Sequence, residues 1–435
     1  MRFRVRPVRR LSGHVTVPGD KSVSHRAALL GAIAEGATEI HGYLEAEDCL
    51  RTIGAMQALG ADVTRKGPGH YRIVGAGLRG LTEPGDLLDC GNSGTATRLL
   101  MGLLAGQPFC TFLTGDQSLR RRPMGRVAEP LRLMGATIVG RADGTRLPLV
   151  VRGCVTLRAI EYATPVASAQ VKSAILLAGL YADGPVTVTE PAPSRDHSEL
   201  ILAAFGARLT RAGRSVTLQP GPLTGTTVRV PGDISSAAFL LVAAAIVADA
   251  RVTVEGVGVN PTRTGVLDVL EAMGARVGRR SDAAAGEPIA ALTLGTSALR
   301  GARVGGALIP RLIDEIPALA VAAAVAAGAT EIGDAAELRV KESDRIAVIA
   351  RELGTLGARI EERPDGMVVH GGARLRGARV QSGGDHRMAM SLAVAGLVAE
   401  GETLVEDVAC VATSFPEFAA TVNALAGTDA ITVEP

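Results

Sequence analysis

The chain has no tryptophan, and its aromatic residues make up only 3% of 435. It therefore lacks the stacking platforms that grip single-stranded nucleic acid. It also lacks an excess of either charge, since 46 Lys and Arg face 44 Asp and Glu. No overall positive field favours nucleic acid, and no polybasic tail favours a membrane. Long apolar runs are missing too: the longest, Ala237–Ala248, covers about 12 residues where a bilayer span takes roughly 18–20. The basic N-terminal residues Met1–Arg10 are not followed by the apolar segment of a secretory signal. The five cysteines, Cys49, Cys90, Cys110, Cys154 and Cys410, form no CxxC pair. They read as reduced core thiols of a cytoplasmic protein, not as a disulfide frame or a zinc site. With 47% hydrophobic residues, the length suffices for two or three packed domains.

What the chain does have is repetition. An amphipathic helix ending in a Gly-Ala step, followed by a β-like run, recurs at Met56–Val63, Leu131–Ile138, Ala203–Leu209, Leu270–Val277 and Leu356–Ile360, with a degenerate copy at Ala424–Gly427. The glycines, Gly60, Gly135, Gly206, Gly274, Gly357 and Gly427, are 75, 71, 68, 83 and 70 residues apart. Such a glycine closes a helix in the left-handed conformation without steric cost. Upstream of each lies a second helix, apolar on nearly every face and so predicted to be buried. These are expected at Ser22–Ala34, Thr95–Ala105, Ala169–Tyr181, Ser235–Val247, Ile316–Ala327 and Arg387–Ala399. One unit of about 72 residues thus reads strand, buried helix, strand, surface helix, two strands, six times over. The segment Val17-Pro-Gly-Asp20 returns as Val230-Pro-Gly-Asp233, 213 residues later, close to three units. Two domains of three units follow, one formed by residues 1–19 and 231–435 and one by residues 20–230.

Polar chemistry gathers at the starts of the buried helices, where unpaired N–H groups and the helix dipole favour anions. Capping explains Ser, Asn or Asp there. It does not explain Lys21, Arg26 and Arg387, which the dipole disfavours, so an anion is expected beside them. Gly91-Asn-Ser-Gly94 makes a nest for a phosphate or simply a cap, and no Gly-Lys-Ser/Thr follows to make it a P-loop. Arg122 precedes Pro123 and is held extended. In Arg339-Val-Lys-Glu-Ser-Asp-Arg345, Glu342 and Arg345 share a helix face. That segment is either a capped surface helix or cations holding an anion beside a proton donor. Asp314, flanked by apolar residues, is either a cap or a general base. Gly75-Ala-Gly-Leu-Arg-Gly80 fits GxGxxG, but no helix pattern follows, so a dinucleotide fold is not supported. Asp196-His197 and Asp385-His386 lack metal-ligand spacing. From the residues alone, the substrate is a small polyanion without a name.

At these residues the chain resembles the 5-enolpyruvylshikimate-3-phosphate synthase family (3-phosphoshikimate 1-carboxyvinyltransferases). The matching segments are Gly19–Arg26, Gly91–Leu99, Arg122–Gly125, Ala167–Ser173, Ser194–His197, Arg339–Arg345, Asp385–Met390 and Ser414–Pro416. The resemblance implies an α/β fold, the two-domain inverse α/β barrel of six βαβαββ repeats, with its active site in the interdomain cleft. It implies transfer of the carboxyvinyl group of phosphoenolpyruvate to the 5-hydroxyl of shikimate 3-phosphate, without a metal or organic cofactor. Carried over by motif, Lys21, Ser22, Arg26, Ser168, Gln170, Arg195, Asp314 and Lys341 would bind shikimate 3-phosphate. Lys21, Gly94, Arg122, Gln170, Arg345 and Arg387 would hold phosphoenolpyruvate. Asp314 would be the base, Glu342 the proton donor, and Lys21 would touch both substrates. One position departs from the pattern: where many members carry Lys before Ser/Thr-Phe-Pro, this chain has Thr413. A cytoplasmic monomer that binds neither nucleic acid nor membrane is expected. The related UDP-N-acetylglucosamine enolpyruvyl transferase generally carries a cysteine in a loop that here reads Gly115–Arg122, with none. A silent anion-binding protein of the same fold would have lost the acid and base that Glu342 and Asp314 supply.

Overall fold

In this computed structural model, which describes residues 1–282 and 286–435, all six repeat glycines adopt positive φ: Gly60 (87°), Gly135 (110°), Gly206 (86°), Gly274 (100°), Gly357 (99°) and Gly427 (64°). Each ends an outer helix, the six being Glu47–Ala58, Gly125–Leu133, His197–Ala204, Gly265–Ala272, Arg345–Thr355 and Phe418–Ala426. The apolar helices run Lys21–Ile33, Gly94–Ala105, Ala169–Gly179, Ile234–Ile246, Ile316–Val325 and His386–Gly396, and nearly all their residues are buried. Their ends coincide with the expected ones or differ by up to three residues, the largest difference being at Gly396, where the helix is capped by Leu397.

The described residues form six four-stranded sheets of one design. The first two strands of a repeat run parallel around the buried helix. The last two form an antiparallel pair, in spatial order first, second, fourth, third. The chain divides into two compact units, Met1–Pro18 with Gly232–Pro435, and Gly19–Pro231. Each holds three sheets outside and three buried helices inside. In the first unit Ile234–Ile246, Ile316–Val325 and His386–Gly396 pack on one another. In the second, Gly94–Ala105 packs against both Lys21–Ile33 and Ala169–Gly179.

Closure of both units depends on strands far from their sheets in sequence. Thr227–Arg229 pairs in parallel with Glu39–His41, completing the first sheet of the second unit. Arg10–Thr16 pairs with the strand Asp249–Gly258, and Arg2–Val5 inserts between Thr403–Glu406 and Ile431–Glu434. Arg2 and Arg4 tie that last strand down, donating to Glu434 at 2.7 and 2.6 Å. The duplicated turns are held alike: Asp233 N donates to Pro18 O at 2.8 Å, and Asp20 N donates to Pro231 O at 2.7 Å. Side chains are excluded at Gly19, where a Cβ would lie 1.9 Å from Gly42 O.

Small residues set the helix spacing. A Cβ on Gly102 would stand 2.3 Å from Ala174 O and 2.7 Å from Ala174 Cα, on the neighbouring buried helix. Backbone cannot yield as a flexible side chain can, so Gly102→Ala is expected to destabilise the protein by about 1–3 kcal/mol, despite the better helix propensity of alanine. Denaturant unfolding of the purified variant checks this.

The cysteines need a correction. All five are free thiols, but only Cys49 and Cys90 lie in the core; Cys110, Cys154 and Cys410 are partly exposed, at a strand start, just beyond a strand end and in a 3-10 turn. Burial pushes the Cys90 thiol up to about 11 and the Cys410 thiol up to about 12, which keeps both protonated and poorly nucleophilic at neutral pH. Among the described residues, no helix is long and apolar enough to cross a membrane.

Candidate active site

Five of the six buried helices are capped by a side chain. Asp20, Ser93, Ser168, Asp233 and Asp385 accept from Val23, Ala96, Val171, Ser235 and Arg387 N–H groups respectively. The sixth, Ile316–Val325, starts at Glu315 without a side-chain cap. Next to it the Asp314 carboxylate accepts instead from Lys341 Nζ and an Arg345 terminal nitrogen, both at 3.3 Å. Capping is therefore not what Asp314 does. A helix that forgoes its cap where an acid meets two cations breaks a local rule that its five siblings obey, as functional sites do.

Around Asp314 the unit containing the chain ends assembles a charged cluster. Arg345 opens its helix fully buried and donates to Asp385 through Nε at 2.8 Å and to Glu342 at 2.7 Å. Burial opposes its charge, but the carboxylates of Asp385, Glu342 and Asp314 outweigh that and hold its pKa above the ordinary value. Asp344 caps the Arg345 helix by accepting from Ala347 N at 3.1 Å. Arg387 donates to the Asp314 carbonyl at 3.2 Å and stands 3.9 Å from Glu315. Glu315 is itself buried, receives the Ser235 hydroxyl and lies 3.4 Å from Arg263. One side of the cluster is thus fixed by buried ion pairs, while Asp314, Lys341 and Glu342 remain partly exposed. That combination lets acids and cations meet a ligand with little reorganisation.

The other unit builds a second cluster. Lys21, one residue after its helix cap, pairs with Asp48 at 2.8 Å. Arg26 is buried and donates to Ser198 and Ser173 hydroxyls and to the Ser22 carbonyl. Gly94 opens its helix beside Arg122, whose guanidinium grips the Asn92 carbonyl at 3.1 Å and the Asn92 side chain at 2.5 Å. Arg122 is extended (φ −73°, ψ 145°), as a residue before proline should be, whereas its neighbours Arg120 and Arg121 are exposed in a 3-10 turn. Gln170 is pinned between Arg98 at 2.6 Å and Thr95 at 2.8 Å, and Arg98 also holds the Pro123 carbonyl. Ser168 caps its helix, and its N–H donates to Glu190 at 3.1 Å. Arg195 lies half-buried in the turn before His197–Ala204. Gly94, Arg98, Arg122 and Gln170 form one group, and Lys21 with Arg26 lines the adjoining helix.

Sequence reasoning missed the partners: Asp48 behind Lys21, Asn92 behind Arg122, Arg98 behind Gln170. Asn92 and Arg98 stood inside a recognised motif, but their targets lie 30 and 72 residues away. Of the three helix-start cations, Lys21 meets the carboxylate of Asp48 at 2.8 Å and Arg387 stands 3.9 Å from that of Glu315, while the hydrogen bonds of Arg26 given above run to hydroxyls and a carbonyl. Thr413, in place of the family lysine, ends a 3-10 turn by donating to the Cys410 carbonyl at 2.7 Å.

Comparison with known proteins places these clusters in context. The model of the EPSP synthase (3-phosphoshikimate 1-carboxyvinyltransferase) family matches residues 5–422. A 3-phosphoshikimate 1-carboxyvinyltransferase of Gloeobacter violaceus is 57% identical, over 96% of this chain and 97% of that one. One from Desulforudis audaxviator is 55% identical, over 98% and 99%. The solved structure of an EPSP synthase from Acinetobacter baumannii superposes with a TM-score of 0.88 at 45% identity, covering 100% of both chains.

Proposed function

The chain belongs to the EPSP synthase family, and we propose that it catalyses through the two polar clusters just described. The reaction moves the carboxyvinyl group of phosphoenolpyruvate to the 5-hydroxyl of shikimate 3-phosphate and releases inorganic phosphate. The observation that carries the residue assignment is the Asp314 carboxylate, withdrawn from capping and held by Lys341 and Arg345.

In this reading Lys21, Ser22, Arg26, Ser168, Gln170, Arg195 and Lys341 bind shikimate 3-phosphate. Lys21, Gly94, Arg122, Gln170, Arg345 and Arg387 hold the phosphate and carboxylate of phosphoenolpyruvate. Glu342 gives a proton to the methylene carbon, so positive character develops at C2. The 5-hydroxyl attacks there while Asp314 takes its proton, and Lys21 steadies the charge shared by the two substrates. The resulting tetrahedral intermediate carries both phosphate and carboxylate, which the fixed cations stabilise. Loss of a proton from the new methyl group then reforms the double bond and expels phosphate. The proposed acid and base belong to one unit and most of the proposed anion ligands to the other.

The methyl intermediate makes the mechanism testable. Turnover in D2O is expected to leave deuterium in the vinyl group of the product, and wild-type product free of label would contradict it. The near balance of charge and the scarcity of aromatics support action on small molecules and not on nucleic acid; a cytoplasmic monomer working without metal or organic cofactor is part of the same proposal.

Gly94 gives a further expectation. A Cβ there would lie 2.9 Å from an Arg98 terminal nitrogen and 3.4 Å from one of Arg122. Gly94→Ala is expected to raise the KM for phosphoenolpyruvate at least about fivefold, with the KM for shikimate 3-phosphate nearly unchanged. Steady-state kinetics with each substrate varied in turn checks this.

A further inference from the structure

His25 is fully buried, and no step above uses it. It sits one helical turn after Lys21, and its ring joins three elements. Nδ1 lies 2.7 Å from the Thr52 hydroxyl on the outer helix Glu47–Ala58, and Nε2 lies 3.3 Å from the Ser93 hydroxyl. Asp48 and Thr52 are themselves one turn apart, so the two helices are joined in register by Lys21–Asp48 and His25–Thr52. Ser93 is the cap of Gly94–Ala105 and already accepts the Ala96 N–H at 3.1 Å. Its own proton is then free to go to His25 Nε2, which leaves Nδ1–H to donate to Thr52. This network needs a neutral ring. Burial, with the charges of Lys21 and Arg26, pushes the proton off His25 and holds it neutral.

We infer that His25 is a positioning residue for phosphoenolpyruvate, fixing the Gly91–Gly94 turn against the helix that carries Lys21. The inference rests on the reading that Gly94 and Arg122 hold that substrate. Ser93 lies between Asn92 and Gly94. Asn92 in turn holds Arg122 through its carbonyl and side chain, and is itself held by Asp116 at 2.6 Å. A turn released from His25 shifts the grip on Arg122 and the backbone at Gly94 together. A merely structural histidine would affect stability without preferring one substrate.

The test is steady-state kinetics of His25→Phe, Thr52→Val and His25→Gln beside Gly94→Ala. His25→Phe keeps the ring volume and loses both hydrogen bonds. It is expected to raise the KM for phosphoenolpyruvate about tenfold, with kcat and the KM for shikimate 3-phosphate within about twofold. Thr52→Val, a gentler change, is expected to move the same constant about threefold. His25→Gln retains a donor and an acceptor and is expected to recover most of the loss. Should His25→Phe fail to fold, Thr52→Val carries the same test. Thermal destabilisation with both KM values unchanged, or an equal rise in both, overturns the inference if Gly94→Ala still raises the KM for phosphoenolpyruvate. If Gly94→Ala leaves that constant unmoved as well, the assignment of the turn to phosphoenolpyruvate falls first, and the inference with it.

Discussion

Replacing Glu342 by Gln is expected to lower kcat by two to four orders of magnitude while leaving the affinity for both substrates within a few fold. The change is isosteric, and the side-chain carbonyl of Gln still accepts the hydrogen bond that Glu342 now takes from Arg345 at 2.7 Å. What is lost, on the proposed role of Glu342, is the ability to give a proton to carbon, the step that makes C2 electrophilic. Because the protein has no tryptophan to report binding by fluorescence, titration calorimetry is the way to measure affinity. Near-normal binding with collapsed turnover is the signature of an interaction made in the transition state. Wild-type turnover in this variant would refute the role of Glu342.

Replacing Arg345 by Met is expected to damage both fold and chemistry. Arg345 is fully buried and is the shared partner of Asp385, Glu342 and Asp314. Removing it leaves the fully buried Asp385 without its guanidinium partner, a situation that costs about 3–5 kcal/mol where one member of a buried pair is deleted. The KM for phosphoenolpyruvate is expected to rise at least about a hundredfold, since on the proposed assignment a charged hydrogen-bond donor to the substrate disappears. Arg345→Lys separates the two effects. It restores charge, and hence part of the stability, but one ammonium cannot reproduce a planar fork that reaches three carboxylates. Denaturant unfolding and the KM for phosphoenolpyruvate should therefore recover to different extents. Equal recovery of both would count against a direct role of Arg345 in holding substrate.

Much of the fold is legible in the sequence because it is written in local rules. Gly60, Gly135, Gly206, Gly274, Gly357 and Gly427 stand where a helix must stop in a left-handed residue, and all six do so. The apolar helices are visible because a helix buried on every side needs no polar stripe. The first strand of the chain is not visible in this way. Arg2–Val5 alternates weakly, and its partners lie about 400 residues away, so only the closed sheet explains it. The same limit applies to the site. Lys21, Arg122 and Arg345 show themselves as cations where a helix dipole or a loop gives no reason for them. Asp48, Asn92 and His25 do not, because their work is to hold something distant in the chain. Asp314 lay between: its sequence fits a cap as well as a base, and only the contacts with Lys341 and Arg345 remove the cap. Two clusters of matched character are seen, each explained within its own unit.

The measurement that bears most directly on this account is release of inorganic phosphate from phosphoenolpyruvate by the purified protein, with shikimate 3-phosphate present or withheld and no metal added. The account predicts release that depends on both substrates and stops at equilibrium with the enolpyruvyl product. Release without shikimate 3-phosphate, or none with both substrates present, would contradict it.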